Sequence, residues 1–234
     1  MEFRLFDLGL IDYSAALLFQ RNLLAEIRGR GFSAALVVCR HQPVITIGRT
    51  GSNGNIKVSA SELKIKNIPV YRVERGGDVT YHGPGQMTAY PIFNLGCLKR
   101  DLHAYLRQLE GVAIALCSDF GVRASRRPPL TGVWVGEDKI ASIGISVKNW
   151  FTYHGISINI KKRGMENFNL IRPCGMDISM TSLETVTQQH VSWEAAKERL
   201  IGRFREFFAM MRMPQSNAIA AAGYLPALFK EDQS

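Results

Sequence analysis

Cys174 is the residue whose surroundings most suggest a nucleophile. It lies in the segment IRPCGM (171–176), where the proline removes a backbone donor and the glycine frees the backbone to turn. The thiolate is the reactive form of cysteine, and a neighbouring cation such as Arg172 favours it. The local sequence is compatible with a catalytic cysteine or with a structural thiol on a turn, and it does not decide between them.

The other three cysteines, Cys39, Cys97 and Cys117, offer no comparable setting. Cys39 and Cys117 lie in apolar runs and are expected to be inert buried thiols. The four cysteines are far apart in sequence, with no CxxC pair and no histidine at metal-ligand spacing. The sequence therefore predicts neither a metal site nor a disulfide framework.

A glycine-rich segment, RGGDVTYHGPGQ (75–86), follows directly on a predicted strand. Glycine permits positive φ and removes the Cβ that keeps a ligand away, so a loop of this composition can line a narrow pocket with backbone N–H groups. A pair of tight turns is the alternative. The segment matches neither the phosphate-binding loop nor the dinucleotide fingerprint, so a nucleotide site is not indicated.

Two further segments carry weaker signals. Lys139 opens the segment KIASIG (139–144) beside a predicted turn, and taken alone it is expected to be a solvated surface charge. Gly155 lies inside a predicted strand, where glycine often marks the close approach of a ligand or of another backbone. His41 and His154 are interpreted as structural.

These segments need secondary structure to bring them together. Asp12 or Ser14 is expected to cap a helix that ends near Gly29 and Gly31. Ser59 and Glu62 have capping-box spacing, and Asp101 and Ser192 are expected to begin the long helices that follow them. Short apolar runs predict strands at 34–39, 44–47, 69–74 and 86–93, and alternation predicts a meander over 132–135, 139–147 and 151–160.

Strands mixed with helices, without regular βαβ alternation, predict an α+β fold: a single domain with a mixed β-sheet flanked by helices. We assign residues 1–212 to this domain. The segment 213–234 is small and polar and is predicted to be a loosely held C-terminal tail.

The composition narrows the class of protein. A chain of 234 residues with 46% hydrophobic residues describes a packed globule, and no stretch approaches the roughly 18 apolar residues of a membrane span. We expect a soluble, cytoplasmic protein. A net charge of +9 is typical of proteins that bind nucleic acid. The basic residues are dispersed along the chain, however, which favours an acidic protein partner over nucleic acid.

Four segments occur together in the order found in lipoyl(octanoyl) transferases: RGGDVTYHGPGQMTAYP (75–91), KIASIGI (139–145), HGISINI (154–160) and IRPCGM to TSLE (171–184). The chain resembles that family from about Leu5 to Phe207. The resemblance implies the fold of the catalytic domain of biotin and lipoate protein ligases, which agrees with the mixed α+β pattern.

The resemblance also implies a reaction, the first step of endogenous protein lipoylation. An octanoyl group would pass from the phosphopantetheine of acyl carrier protein to a lysine on lipoyl domains of 2-oxoacid dehydrogenases or on glycine cleavage H protein. Cys174 matches the cysteine that carries the acyl group as a thioester, and Lys139 matches the lysine that activates it. No resident cofactor or metal is expected. The alternative is an ATP-dependent lipoate or biotin ligase, which needs no cysteine nucleophile.

The family's substrate-binding positions map onto three of these segments. They are Arg75, Gly76, Gly77, Asp78, Val79, Thr80, Tyr81, His82, Ser142, Ile143, Gly144, Gly155, Ile156 and Ser157. The glycines are expected to let an extended acyl chain lie against backbone in an apolar tunnel. His82 is expected to orient the thioester or Cys174, and backbone N–H groups near Gly76 and Gly77 or at Cys174 are candidates for the oxyanion hole.

Overall fold

A computed structural model of the protein describes residues 3–30, 34–97, 100–208 and 219–220. Eleven strands occur in these ranges: β1 Phe3–Ile11, β2 Ala34–His41, β3 Val44–Ile47, β4 Val70–Arg72, β5 Val79–His82, β6 Gln86–Phe93, β7 Ser125–Arg127, β8 Leu130–Val135, β9 Asp138–Lys148, β10 Phe151–Asn159 and β11 Ile219–Ala220. The α-helices are α1 Tyr13–Arg30, α2 Ala60–Ile65, α3 Leu102–Asp119, α4 Leu183–Thr187 and α5 Trp193–Phe207. Short 3-10 turns span Asn53–Asn55, Leu95–Cys97, Met165–Leu170 and Pro173–Gly175.

The larger sheet has eight strands in the order β11-β1-β2-β6-β10-β9-β8-β7. Strand β1 pairs in parallel with β2 and β11, whereas the remaining pairs are antiparallel. The sheet is therefore mixed, and helices pack against it, as the sequence predicts. The predicted meander is confirmed as the consecutive antiparallel strands β8, β9 and β10.

A smaller sheet, in the order β4-β3-β5, stands beside the larger one. Strand β5 falls inside the glycine-rich segment 75–86, so this segment is not a loop throughout. Its four residues are all buried because β5 is covered on both faces. A cleft between β5 and the pair β9–β10 holds the candidate site.

The helices begin where the sequence predicts, because a capping side chain bonds only to residues close to it in the chain. The carboxylate of Asp12 accepts hydrogen bonds from the N–H groups of Ser14 (2.8 Å) and Ala15 (3.3 Å) at the start of α1. The side chains of Ser59, Asp101 and Ser192 accept in the same way at α2, α3 and α5. These caps are confirmed.

Strand β1 was not predicted, and neither was β7. Most of the predicted tail lies outside the described residues, and within it only β11 is described, paired with β1 at Phe6 and Asp7. No helix in the described ranges is long and apolar enough to cross a membrane.

Candidate active site

Cys174 occupies the centre of the 3-10 turn Pro173–Gly175, in the left-handed conformation with φ 58° and ψ 23°. A non-glycine residue in this region carries a strain on the order of 1–3 kcal/mol, which folded proteins tolerate where function requires it. The turn is held at its start by Arg172, whose N–H donates to the carbonyl of Asn55 at 2.7 Å. The thiol of Cys174 is half-buried at the edge of the cleft.

Lys139 projects from the start of β9 into the protein, and its side chain is 1% exposed. The local prediction of a surface charge is therefore wrong. Its Nζ atom donates to the sulfur of Cys174 at 3.2 Å and to the carbonyl of Thr131 at 3.1 Å, and it lies 5.0 Å from the centre of the Trp134 ring. An ammonium in this position favours the thiolate electrostatically.

Space for the lysine comes from Gly132 on the neighbouring strand β8. A Cβ atom at this position would lie 2.5 Å from the Cε atom of Lys139, and the glycine has φ +137°, which favours a residue without a Cβ. The lysine side chain thus reaches the cysteine across the backbone of a glycine.

Asp78 braces the cysteine turn from behind. Its Oδ1 atom accepts from the N–H groups of Val79 (2.8 Å) and Ser52 (3.1 Å), and its Oδ2 atom accepts from the side chain of Asn55. A Cβ atom on Gly175 would lie 2.6 Å from Oδ2. The carboxylate therefore joins three loops beneath Cys174.

The cleft runs from Cys174 between the two sheets. Thirteen of the fourteen predicted substrate-binding residues line it: Arg75, Gly76, Gly77, Asp78, Val79, Thr80, His82, Ser142, Ile143, Gly144, Gly155, Ile156 and Ser157. Tyr81 is the exception, because its ring packs edge-on against Phe168 at 5.4 Å and its hydroxyl accepts from Asn167 at 2.9 Å. Four residues that the prediction did not include also line the cleft: Tyr13, Thr88, Tyr90 and His154.

The glycines in the cleft walls make room for protein atoms. A Cβ on Gly155 would lie 2.2 Å from the carbonyl oxygen of Ala89 on β6, and a Cβ on Gly144 would lie 3.0 Å from Cδ of Arg75. Close packing against protein atoms is thus one reason for glycine at these two positions, and the expectation that the cleft glycines let an acyl chain lie against backbone stays a prediction. The two glycines allow neighbouring strands and the arginine to approach closely, and that approach shapes the wall.

Arg75 crosses the floor of the cleft almost fully buried. Its guanidinium donates to the hydroxyl and carbonyl of Thr46 and to the carbonyl of Gly76. Within the described ranges, no carboxylate forms an ion pair with it. Burial lowers the pKa of Arg75, and neighbouring groups that include Tyr13 and Cys174 oppose that effect.

His82 is fixed through Gln86. The Nε2 amide of Gln86 donates to the carbonyl of Tyr81 at 3.1 Å, so its Oε1 atom is an acceptor for the hydroxyl of Ser157 (2.7 Å) and for Nδ1 of His82 (3.2 Å). This assigns the ring proton of His82 to Nδ1. Burial lowers the pKa of His82 well below its usual value, which keeps the ring neutral. The ring also stacks on Tyr13 at 5.8 Å.

The two histidines interpreted as structural differ from each other. His41 lies between the carbonyl of Ile11 (3.2 Å) and the hydroxyl of Tyr90 (2.6 Å), and burial lowers its pKa to about 4. His154 lines the cleft, stacks on Tyr153 at 4.8 Å, and has no hydrogen-bond partner for either ring nitrogen among the described residues. Burial lowers the pKa of His154 to about 3.

The backbone N–H groups predicted as oxyanion donors differ in whether they already donate to an acceptor among the described residues. The N–H of Gly76 is already engaged, since it donates to the carbonyl of Ile145 at 2.8 Å. The N–H groups of Gly77 and Cys174 donate to no acceptor in the described part of the chain. Of the predicted candidates, Gly76 is therefore excluded, and the other two stay available.

The remaining thiols behave as expected where they are described. Cys39 and Cys117 are buried in the core, and burial raises the pKa of both, that of Cys117 to about 12. Their prediction as buried thiols is confirmed, which leaves Cys174 as the accessible nucleophile among these three cysteines.

Comparisons with known proteins agree on one family. Residues 12–205 match the model of the lipoyl protein ligase A/B catalytic domain. A protein of Clostridium kluyveri named octanoyltransferase is 40% identical over 200 residues, covering 85% of each chain. One of Caldicellulosiruptor bescii with the same name is 43% identical over 204 residues, covering 86% of this chain and 89% of the relative.

Solved structures support the fold. A lipoate-protein ligase A bound with ATP superposes with a TM-score of 0.76 at 16% identity, covering 99% of this chain and 95% of that one. A bipartite lipoate protein ligase of Thermoplasma acidophilum, studied with its E2 lipoyl domain, superposes with a TM-score of 0.71 at 17% identity, covering 99% and 93%. At these identities the likeness shows the fold alone.

Proposed function

The chain belongs to the lipoyl protein ligase A/B catalytic-domain family, and on that premise we propose that it is an octanoyltransferase that carries its acyl group on Cys174. The names of relatives about 40% identical over most of the chain support octanoyl transfer in protein lipoylation. The single observation that carries the role of the cysteine is the 3.2 Å contact between the amine of Lys139 and the sulfur of Cys174.

The transfer takes place in two steps. In the first, the Cys174 thiolate attacks the carbonyl carbon of a donor thioester; a new C–S bond forms, the donor C–S bond breaks, and the donor leaves as a thiol after taking a proton from Lys139. One thioester replaces another, so the acyl group keeps its reactivity. In the second step, the amine of an acceptor lysine attacks the acyl-cysteine. The amide forms, the thiolate of Cys174 is released, and the excess proton of the amine passes to Lys139.

Both steps pass through a tetrahedral oxyanion. The N–H groups of Gly77 and Cys174 are the proposed donors, since both residues line the cleft and neither N–H has an acceptor among the described residues. Preorganised donors of this kind stabilise the developing negative charge without reorganisation. The octanoyl chain would extend from Cys174 into the cleft, past Ile143 and Ile156, towards the buried rings of Tyr13 and Tyr90.

The partners proposed for the two steps are acyl carrier protein as donor and lipoyl domains as acceptors. A lipoylation enzyme of this family acts on lipoyl domains, and the ligase of similar fold from Thermoplasma acidophilum was studied with such a domain. The net charge of +9 suits an acidic carrier, since charge complementarity accelerates encounter. The donor supplies its own phosphopantetheine, so the proposal requires no resident cofactor. A cytoplasmic location would follow from these partners.

The rival function is an ATP-dependent ligase of the same fold, in which an acyl adenylate would make a cysteine nucleophile unnecessary. The buried lysine beside an accessible thiol favours the transferase.

Intact-mass analysis tests this choice: after incubation with octanoyl acyl carrier protein and no nucleotide, the protein should gain one octanoyl group. The gain should be absent in Cys174→Ala, which has no atom that can accept the acyl group. A mass increase only with ATP and free octanoate, or one that persists in Cys174→Ala, would overturn the proposal.

A further inference from the structure

Glu110 lies in the middle of α3, where it is the one charged residue among the buried residues of that helix, and its side chain is 0% exposed. We propose that Glu110 is a positioning residue for acyl transfer: it fixes the peptide unit between Thr131 and Gly132, and that peptide unit holds Lys139 against Cys174. The inference rests on the proposed function, because it takes Cys174 and Lys139 as the reacting pair.

Three donors hold the carboxylate of Glu110 in one position. Its Oε2 atom accepts from Arg107 at 2.6 Å and from Arg126 at 2.9 Å, and its Oε1 atom accepts from the N–H of Gly132 at 3.1 Å. A buried carboxylate without partners would be destabilising by several kcal/mol. The two arginines, which are half-exposed at their outer ends, supply that compensation. The bond to Gly132 is directed towards the site.

The N–H of Gly132 and the carbonyl of Thr131 belong to the same planar peptide unit, and they point in opposite directions across it. The N–H donates to Glu110, and the carbonyl accepts from Nζ of Lys139 at 3.1 Å. The orientation of this one peptide plane therefore determines the position of the Thr131 carbonyl oxygen that accepts from the amine of Lys139. A continuous series of contacts leads from Glu110 through the peptide and Lys139 to the sulfur of Cys174.

Lys139 depends on this carbonyl for its placement. In the described part of the chain, its amine has no carboxylate partner; it contacts the Thr131 carbonyl, the Cys174 sulfur and the face of Trp134. A lysine side chain has about 2 kcal/mol of rotamer entropy, so an acceptor of fixed direction restrains it substantially. The negative charge of Glu110 also polarises the peptide, which makes its carbonyl a stronger acceptor for an ammonium.

The test measures how fast iodoacetamide alkylates Cys174 in the free protein at several pH values, with the modified peptide identified by mass spectrometry. Glu110→Gln has the same shape but only one acceptor oxygen, so the arginines and the Gly132 N–H must compete for it. We expect alkylation roughly tenfold slower at about pH 7. At about pH 10, where an accessible thiol is ionised without help, the rate should equal that of the unmodified protein.

Arg126→Ala is the matched control. It removes one donor to Oε2 and leaves the bond from Gly132 to Oε1 in place. We expect a stability loss comparable to that of Glu110→Gln and an unchanged pH dependence of alkylation. A purely structural role of Glu110 would instead affect alkylation equally in both variants, through loss of folded protein.

A folded Glu110→Gln protein with the original alkylation rate at both pH values would overturn the proposal, and so would an equal shift in Arg126→Ala. If Glu110→Gln does not fold, Glu110→Asp serves in its place. The aspartate keeps the negative charge that pairs with the two arginines, but its shorter side chain should lose the hydrogen bond from the N–H of Gly132. Failure of both to fold would assign Glu110 a structural role only and would also overturn the proposal. Alkylation needs no acyl donor, so its outcome is separate from that of the octanoyl transfer assay.

Discussion

The amine of Lys139 lies 3.2 Å from the sulfur of Cys174, although the two residues are 35 positions apart in the chain. Their backbones are tied together as well. The N–H of Lys139 donates to the carbonyl of Ser179, and its carbonyl accepts from the N–H of Thr181, both at 2.9 Å. The segment that follows the cysteine turn is thus attached to the strand that carries the lysine, which keeps the pair in register.

Replacement of Lys139 by methionine should remove activity and preserve the fold. The variant Lys139→Met fills the same buried space without a charge, so the thiolate of Cys174 loses its neighbouring ammonium. We expect octanoyl transfer to fall by about 10²-fold or more, as measured by acceptor-domain mass shift. Lys148→Met, on the exposed end of the same strand, is the control and should transfer at the original rate. An active Lys139→Met enzyme would contradict the assigned pair.

Alanine variants of two glycines in the β8–β9 hairpin distinguish the effect of backbone strain from the effect of displacing Lys139. Gly132 and Gly136 both have positive φ, but a Cβ on Gly132 would lie 2.5 Å from Cε of Lys139 and 2.8 Å from the carbonyl oxygen of Ala141, whereas a Cβ on Gly136 has no neighbour within 4 Å. Both alanine variants should lose about 1 kcal/mol or more in the free energy of unfolding, measured by urea titration. Only Gly132→Ala should lose acyl-enzyme formation. Equal acyl-enzyme formation in the two variants would show that the contact with Lys139 is unimportant.

Removal of the Asp78 carboxylate should loosen the cysteine turn. Asp78→Ala leaves the N–H groups of Ser52 and Val79 without their acceptor, for an expected loss of about 1–3 kcal/mol in the free energy of unfolding. The rate of acyl-enzyme formation should decrease too, because the turn that carries Cys174 rests on Asp78. Asp177→Ala, which removes an exposed partner of Arg172, is the control. If Asp78→Ala forms acyl-enzyme as quickly as this control, the bracing role is wrong.

Buried histidines should make the fold sensitive to acid. Burial lowers the pKa of His154 to about 3 and that of His41 to about 4, whereas an unfolded chain titrates near 6.5. Between these values the unfolded state binds more protons than the folded one, so stability is fully present above pH ~6.5 and is lost as the pH falls towards the folded values. Each histidine contributes a slope of up to about 1.4 kcal/mol per pH unit in that window.

Urea unfolding at a series of pH values checks this dependence. His154→Gln should flatten the slope because a glutamine side chain does not titrate. A His154→Gln protein with the original slope would mean that His154 titrates alike in both states.

The sequence by itself determined the features that depend on near neighbours. Asp12, Asp101 and Ser192 cap helices because a capping side chain reaches N–H groups only two or three residues away. The apolar runs around Cys39 and Cys117 predicted burial, and the alternation over 132–160 predicted the meander. The ordered motifs also indicated Cys174 and most of the cleft residues through the family resemblance.

Only the tertiary structure decided which side chains meet. Lys139 is expected at the surface when only its own turn is considered, but it is buried in the structure. Gly132 has no side chain that would occupy its space. The Thr131 carbonyl and the Cys174 sulfur accept hydrogen bonds from its amine. The apolar periodicity of α3 did not indicate that Glu110 is buried. Tyr81 packs against Phe168 and does not line the cleft. Burial of a charge depends on partners that lie many residues away in the chain, and local periodicity contains no information about them.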